Sequence, residues 1–177
     1  MGGIAQFIHI SSGRFREDWQ DAMGDCPVPE LPPLPRRATS GSAGYDFYAP
    51  AAFTLAPGQE VRIPTGVRAR IDDGWVLMLF PRSGLGFKYR LQLNNTVGIV
   101  DTDYLGAINE GHIFIKLTNA GDRLLSVAAG EAFAQGVFLP FGLTDDDDAR
   151  GQRTGGFGST GSRGAGAFHA KGSTEKL

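Results

Sequence analysis

The sequence is poor in cysteine, with Cys26 alone in 177 residues. A single cysteine excludes a disulfide within the chain and fits a reducing compartment. Long apolar runs are missing too: none approaches the roughly 20 residues that a membrane helix needs, and no charged-then-apolar leader opens the chain. We therefore expect a cytoplasmic protein that has no membrane partner.

An excess of positive charge is also absent. The net charge is −2 and the isoelectric point is about 5.9, whereas domains that bind nucleic acid nonspecifically usually have values above about 9. We expect no nucleic-acid partner. The three histidines (His9, His112 and His169) stand apart from one another, and nothing in the sequence has the ligand spacing of a metal site. The sequence therefore predicts no metal-binding residues.

Strand signals dominate what is present. In "EVRIPTGVRARI" (60–71) apolar residues alternate with arginines, and "HIFIKL" (112–117) alternates as well. "GWVLMLF" (74–80) is apolar throughout and predicts a central strand that is covered on both faces. Turn signals recur at intervals of about 8–12 residues, which is typical of a sandwich or a barrel. The sequence predicts an all-β fold.

We expect one β domain over residues 1–144 and a flexible arm over 145–177 that carries a glycine-rich motif. The acidic run "DDDD" at the start of the arm is typical of a solvated linker. Within the domain, residues 11–36 read as a helix followed by a proline-rich insert. The helix is predicted from a capping serine, apolar residues at a spacing of four, and a terminal glycine: Ser12, then Phe15, Trp19 and Met23, then Gly24.

The glycine-rich motif "GGFGSTG" (155–161) contains the pattern G-x-G-x-x-G. This pattern indicates a dinucleotide site only when it follows a strand and opens a helix. Residues 162–177 are too rich in Gly, Ser and Lys for a packed helix. A Walker motif is excluded because Ser162 stands where that motif needs lysine. If these glycines bind phosphate, they do so on a flexible segment.

Five short segments, taken in order, resemble the five motifs of the trimeric deoxyuridine triphosphate nucleotidohydrolases, the dUTPases. No segment is specific by itself, but their joint order is, and the resemblance covers roughly residues 38–161. The segments are "SAGYDFYAP" (42–50), "PRSGLG" (81–86), "NNTVGIVDTDYLG" (94–106), "GEAFAQ" (130–135) and "RTGGFGSTG" (153–161).

The resemblance implies a fold, an assembly and a reaction. It implies a subunit with a distorted jelly-roll or β-barrel fold, and a homotrimer with its sites at subunit interfaces. The implied reaction hydrolyses dUTP to dUMP and pyrophosphate. It also implies Mg²⁺ held mainly by substrate phosphates and water, which suits an ion that dehydrates reluctantly.

"PRSGLG" is the expected triphosphate site. Arg82 has a forked donor suited to phosphate oxygens, and Ser83 has a hydroxyl. Gly84 lets the backbone approach closely. Without the resemblance, the same segment also reads as a strand end with a tight turn. In the dUTPases these three residues hold the triphosphate.

"GEAFAQ" supplies a further phosphate contact through Gln135, as the resemblance implies. Here the segment departs from the dUTPase pattern, because Ala132 replaces the usual arginine. Arg123 is one candidate to substitute for that arginine; the other interpretation is that nothing does. Asp46, in "SAGYDFYAP", is either a supporting residue near the nucleotide or a carboxylate that bonds nearby backbone.

"VGIVDTDYLG" carries the implied chemistry. Hydrolysis of a phosphoanhydride needs an in-line water and a carboxylate to deprotonate it. Asp101 matches the general base of the family, and Asp103 is the competing carboxylate. Tyr104 matches a tyrosine that packs against C2′ of deoxyribose and excludes a ribose hydroxyl; the alternative is an ordinary core tyrosine. Asn95, three residues before Gly98, matches a hairpin asparagine that reads uracil, although asparagine is also a common turn former.

The tail segment is expected to close over nucleotide bound to a neighbouring subunit. By resemblance, Phe157 stacks on uracil, and Arg153 pairs with the outer phosphates. Gly158 and Ser159 offer N–H and hydroxyl donors around the γ-phosphate. Many dUTPases place the arginine one residue earlier, where this chain has Gln152.

Two other functions stay open on the residues alone. A deaminase of the same fold would release ammonia from dCTP, although such relatives use a glutamate base. A trimeric interaction protein would bind dUTP without hydrolysing it, and the N-terminal insert is the feature that favours it.

Overall fold

The computed structural model describes residues 2–151 and Gly155, and Arg153, Phe157, Gly158 and Ser159 lie outside the described residues. The described part consists mostly of antiparallel strands, and none of its sheets closes into a barrel. The strands are β1 (Ala5–His9), β2 (Arg36–Arg37), β3 (Tyr45–Tyr48), β4 (Phe53–Leu55), β5 (Glu60–Pro64), β6 (Val67–Ile71), β7 (Trp75–Pro81), β8 (Leu91–Leu93), β9 (Gly98–Val100), β10 (Phe114–Asn119), β11 (Leu125–Val127) and β12 (Ala132–Pro140).

The largest sheet has five strands in the order β2-β3-β12-β7-β9. A three-stranded sheet has the order β5-β10-β8, and two pairs, β1-β6 and β4-β11, complete the described strands. Every strand pair is antiparallel. One continuous core of aliphatic and aromatic side chains lies between these sheets.

The alternation of "HIFIKL" is confirmed in β10 and in Ile113, the residue directly before it. Ile113, Ile115 and Leu117 are each at most 1% exposed. Successive side chains of a strand point to opposite faces, so these three form one buried row. Val67 and Ala69 of β6 are buried in the same way.

The expectation that "GWVLMLF" is covered on both faces is wrong for the described part of one chain. Leu77 and Leu79 of β7 face the core and are fully buried. On the other face, Val76 and Met78 are only half-buried. This second face of the five-stranded sheet, called the outer face below, therefore remains partly open.

Helix α1 (Ser12–Met23) confirms the N-terminal helix, but its cap is Ser11 and not Ser12. The Ser11 hydroxyl accepts a hydrogen bond from the Arg14 backbone N–H at 3.1 Å, which satisfies one of the free donors at the helix start. Gly24 ends the helix with a positive φ of 62°. Phe15 and Trp19 are 2% and 3% exposed and pack with Ile10 in a small separate cluster.

A second helix, α2 (Ser83–Tyr89), lies where the sequence indicated only a turn. It contains Gly84 and Gly86, and glycine disfavours a helix interior by about 1 kcal/mol relative to alanine, so the sequence gave no helical signal. A short 3-10 helix, Thr102–Gly106, follows β9. Neither α-helix in the described part of the chain is long and apolar enough to cross a membrane.

A buried polar pair fastens α1 to the β core. His112 is 0% exposed, and its Nδ1 lies 2.6 Å from the Asp18 carboxylate. Its Nε2 accepts a hydrogen bond from the Gly66 N–H at 2.8 Å. Burial lowers the pKa of His112 below its ordinary value of 6.5, and this effect exceeds the opposing hydrogen bond to Asp18. The imidazole is therefore neutral in the folded protein, with Nδ1–H as the donor to Asp18.

We expect acid to destabilise the fold through His112. The unfolded chain binds this proton more tightly than the folded chain, so the free energy of unfolding should fall as the pH drops below about 6.5. His112→Gln should cost about 1–3 kcal/mol at pH 7.5 but show a weaker pH dependence between pH 7.5 and 5. Urea unfolding of both proteins across that range measures the difference, and equal slopes would contradict this account.

Candidate active site

A cavity of about 380 Å³ gathers four of the predicted phosphate-site and supporting residues. They come from three separate sequence segments, and the sheet brings them together. We call this the phosphate cavity. Its lining residues are Asp46, Arg82, Ser83 and Gln135, together with Ala38, Ser42, Ala43, Gly44 and Val137.

The register of the five-stranded sheet explains this convergence. Gln135 of β12 lies opposite Asp46 of β3 on one side and opposite Phe80 of β7 on the other. Residues directly opposite each other in an antiparallel sheet point to the same face. Asp46 and Gln135 therefore both project from the outer face, and Arg82 follows at the end of β7.

Two contacts hold the functional side chains of the phosphate cavity. The Arg82 Nε lies 3.3 Å from an Asp46 carboxylate oxygen. The Gln135 amide donates a hydrogen bond to the carbonyl of Pro81 at 3.1 Å. The Asp46 side chain is 16% exposed and that of Arg82 is 43% exposed, so the carboxylate fixes one edge of a guanidinium whose other edge remains accessible.

Ser83 and Gly84 form the first turn of α2. The N–H groups at the start of a helix have no acceptor within the helix. The first intrahelical donors here are Leu85 and Gly86, which both bond the Arg82 carbonyl. The backbone of Ser83 and Gly84 can therefore donate to an anion beside Arg82.

Gly44 was not among the predicted site residues, although it lies in "SAGYDFYAP". A Cβ at this position would overlap the Gln135 amide oxygen. The glycine thus makes room for Gln135 to adopt its observed position in the phosphate cavity. The signal in the sequence was the glycine itself, two residues before Asp46.

A second cavity, of about 330 Å³, lies at the turn between β8 and β9, and we call it the hairpin cavity. Asn95 and Gly98 line it, as do the half-buried ring of Phe114 and the apolar residues Leu79 and Leu93. Polar side chains complete the lining: Arg62, Asn94 and Lys116.

The two neighbouring asparagines of the hairpin have different surroundings. The Asn94 amide donates to Glu60 at 2.7 Å, and its oxygen accepts from Thr118 at 2.9 Å. Asn94 is thereby committed to the β5-β10 sheet, which favours Asn95 as the amide that a ligand in the hairpin cavity would meet. Gly98 lies opposite Leu79, and a Cβ there would come within 3.0 Å of the Leu79 Cβ.

Asp101 is half-buried and directly precedes the 3-10 helix that contains Asp103 and Tyr104. Tyr104 is 2% exposed. Its hydroxyl donates to the His112 carbonyl at 2.7 Å and accepts from the Asn109 amide at 2.8 Å. This anchoring fixes the ring, and it leaves only a small part of the ring surface for a sugar. It also fits the ordinary core tyrosine that the sequence left open.

Within one chain, Asp101 and the phosphate cavity lie far apart. Val100 pairs with Leu77, so Asp101 is level with Val76, whereas Arg82 lies beyond the other end of β7. Six residues of an antiparallel strand span about 20 Å. Moreover, no residue lines both the phosphate cavity and the hairpin cavity. Asp101 and Tyr104 line neither cavity, so one chain by itself does not bring all the predicted site residues together.

Arg123 does not line the phosphate cavity of the described chain. Its side chain is 70% exposed and donates to the carbonyl of Lys88 at 3.3 Å. Ala132, where dUTPases usually have arginine, is 8% exposed. The structure gives no support to Arg123 as the replacement.

Comparisons with known proteins agree on one family. A profile of the dUTPase family matches residues 32–161. The deoxyuridine 5'-triphosphate nucleotidohydrolase of Lactococcus lactis subsp. lactis strain IL1403 is 44% identical over 131 residues, which are 72% of this chain and 87% of that protein. The protein of the same name from Hahella chejuensis is 42% identical over 139 residues, with coverage of 74% and 88%.

Solved structures show the same likeness. The crystal structure of dUTPase from Streptococcus mutans has a TM-score of 0.59 and 36% identity, and the match covers 78% of this chain and 98% of that one. A variant dUTPase of phage phi11 of S. aureus, described with a structural Mg(II) ion, has a TM-score of 0.61 at 19% identity, with coverage of 84% and 98%. At that identity the phage protein supports the fold alone.

Gly44→Ala should displace Gln135 and weaken triphosphate binding by about tenfold, an effect equal to about 1.4 kcal/mol. The thermal midpoint should change little, because the overlapping atom is the end of a flexible side chain. Gly41→Ala is the matched control, since a Cβ there meets no atom within 4 Å. Calorimetric titration with a non-hydrolysable dUTP analogue measures both variants. Equal affinity of the two would show that Gly44 does not serve this purpose.

Proposed function

The chain belongs to the dUTPase family and hydrolyses dUTP, and from that premise we propose that Asp101 activates a water to attack the α-phosphorus, which gives dUMP and pyrophosphate. The family match over residues 32–161 carries the reaction. The relatives described above are named as hydrolases, which favours hydrolysis over deamination of dCTP. The convergence of Asp46, Arg82, Ser83 and Gln135 in the phosphate cavity supports the assignment of roles.

The phosphate cavity is proposed to hold the triphosphate. Arg82 offers a charged fork to the phosphate oxygens, and Asp46 keeps this fork oriented through its 3.3 Å contact. Ser83, Gly84 and Gln135 supply neutral donors. Fixed donors that face the developing negative charge lower the barrier without reorganising during the reaction. Their task is to stabilise the leaving pyrophosphate.

The hairpin cavity and the 3-10 helix are proposed to select the nucleoside. Asn95 and the hairpin backbone read the uracil edge, and the tight turn at Gly98 leaves no room for the methyl group of thymine. A methyl group is best rejected by a clash, because attraction in an apolar pocket distinguishes one methylene by only about 1–3 kcal/mol. Tyr104 excludes the ribose 2′-hydroxyl with a ring whose hydroxyl is already anchored.

A complete site is proposed to need more than one copy of the chain. Asp101 must reach the phosphorus of a nucleotide whose phosphates lie at Arg82, yet the two residues are about 20 Å apart along β7. The outer face beside the phosphate cavity carries half-buried Met78 and two exposed apolar side chains, Ile99 at 47% and Leu139 at 41%. A second copy that covers this apolar face would bring its own Asp101 toward the cavity. We propose the homotrimer of jelly-roll-like subunits on these grounds.

Mg²⁺ is proposed to accompany the substrate. Carboxylate oxygens suit this ion, and Asp46 supplies one in the phosphate cavity but is engaged by Arg82 at 3.3 Å. No group of three or more His, Cys, Asp or Glu side chains forms a metal site within residues 2–151 and Gly155. The residues present therefore fit an ion held mainly by phosphates and water. When bound, Mg²⁺ neutralises charge on the phosphate oxygens.

The arm at 145–177 is proposed to complete the site, with residues 1–144 as the domain. Arg153, Phe157, Gly158 and Ser159 would close over the bound nucleotide, with Phe157 stacked on the base. Base–aromatic stacking is worth about 1–3 kcal/mol.

Asp101→Asn should lower kcat by at least about 10²-fold, because a positioned general base contributes roughly 10²–10⁴-fold. The KM for dUTP should change much less. Asp103→Asn is the matched control, since it changes a second carboxylate two residues away, inside the 3-10 helix that Asp101 precedes. Pyrophosphate release from dUTP in the presence of Mg²⁺ measures all three proteins. Near-normal turnover by Asp101→Asn would remove it from the mechanism.

Mixing two inactive variants should restore activity if the site is shared between subunits. After unfolding and refolding of Asp101→Asn with Arg82→Ala at equal amounts, about one quarter of the sites should pair an intact Arg82 with an intact Asp101 from another chain. Each variant refolded alone serves as the control. A mixture no more active than its parts would place both residues in a site within one chain.

A further inference from the structure

Helix α1 and its capping residue form hydrogen bonds with one loop of the β core at two points. The loop comprises residues 107–112 and joins the 3-10 helix to β10. At one point, the Ser11 backbone N–H and hydroxyl donate to the two oxygens of the Glu110 carboxylate at 2.9 and 2.6 Å. At the other, Asp18 accepts from the His112 Nδ1–H at 2.6 Å. We call these two contacts the α1 clamp.

In the Asp18–His112 contact of the α1 clamp, both side chains also make other hydrogen bonds. Asp18 is 6% exposed and also bonds Arg14. His112 uses its second nitrogen to accept from the Gly66 N–H. The imidazole can therefore neither rotate nor shift without breaking a buried hydrogen bond, and a lost partner for a buried polar group is costly.

The clamped loop in turn holds Tyr104. The His112 carbonyl is the acceptor for the Tyr104 hydroxyl, and the Asn109 amide donates to that hydroxyl. Gly111 has a positive φ of 71°, and a Cβ there would lie 2.8 Å from the Tyr104 carbonyl oxygen. The loop and the 3-10 helix thus fit together closely, so a displacement of the loop displaces the ring.

Apolar packing alone would suffice to attach α1. Phe15 and Trp19 are almost completely buried and supply that attachment. A buried Asp–His pair adds a desolvation cost that replacement by apolar side chains would avoid, but it fixes orientation more strictly. The Asp18–His112 pair is therefore better explained by a need to orient α1 and the loop relative to each other than by a need to hold α1 on the core.

We propose that helix α1 is a positioning element for sugar discrimination, in which Asp18 and Ser11 hold the loop 107–112 and thereby fix Tyr104 against the ribose 2′-hydroxyl. The inference rests on the proposed role of Tyr104. It assigns a task to a helix that precedes residues 32–161, the part of the chain that matches the family.

The test compares kcat/KM for dUTP with kcat/KM for UTP in the full-length protein. Asp18→Ala should lower the dUTP/UTP ratio by about tenfold, because small displacements of a positioning group are costly. Asp18→Asn keeps an oxygen that can accept from His112 and should retain most of the ratio. The matched control is Asp21→Ala, which removes an exposed ion pair of the same helix with Arg62 at 3.2 Å and should leave the ratio unchanged.

The ratio separates positioning from mere stability, since loss of active enzyme lowers both activities equally. If Asp18→Ala does not yield folded protein, Ser11→Gly replaces it, because glycine is tolerated as a helix cap. Ser11→Gly loses the hydroxyl bonds to Glu110 and from the Arg14 N–H but keeps the backbone bond to Glu110, and it should lower the ratio by about threefold. An unchanged ratio in whichever of these two variants is folded overturns the proposal.

Tyr104→Leu distinguishes failure of this inference from failure of the role on which it rests. If Tyr104→Leu lowers the dUTP/UTP ratio but Asp18→Ala does not, the clamp is only structural. If Tyr104→Leu leaves the ratio unchanged, the proposed selectivity of Tyr104 is itself wrong. A fall in both variants, with Asp18→Asn close to wild type, supports the α1 clamp.

Discussion

Strand β7 sets the distance on which the geometry of the site depends. It pairs with β12 on one side and with β9 on the other, and each partner brings a different functional segment to one of its ends. The β12 side places Gln135 near Arg82, whereas the β9 side leads to Asp101 about six residues away along β7. A strand is too stiff to fold back over this span of about 20 Å. Under the proposed roles of Arg82 and Asp101, the chemistry is assembled between molecules, and the two ends of β7 contribute to different sites.

The same strand shows why an enzyme subunit can have a poorly covered sheet. In one chain the inner face of β7 is closed by the core, while Met78 and its neighbours on the outer face are only partly covered. The sequence of β7 is apolar on both faces, which is typical of a strand buried on both sides. The apolar outer face has a physical purpose if a second copy lies against it. Association with that copy would then bury the apolar outer face and complete the site in the same step.

Much of this could be predicted from the sequence, but only where the determinants are local. Alternation in 112–117 predicted the buried row Ile113, Ile115 and Leu117, and the "PRSGLG" segment identified residues that do converge with Gln135. Helix α2 was missed because its two glycines oppose a helix that tertiary contacts nevertheless stabilise. The Asp18–His112 pair could not be foreseen, because the two residues are 94 positions apart and neither belongs to a motif.

The anchoring of Tyr104 bears directly on its proposed role, because exclusion of a ribose hydroxyl needs a ring that is held in place. A ring held only by packing could move aside for a ribose hydroxyl at small cost. The clash would then not penalise binding of the ribonucleotide. Two hydrogen bonds, to the His112 carbonyl and from the Asn109 amide, tie the far end of the ring to a buried loop. Moving the ring would break bonds that water cannot readily replace at a residue only 2% exposed. A steric filter is only as selective as its support is rigid, and the support of the proposed filter, Tyr104, runs through His112 to helix α1.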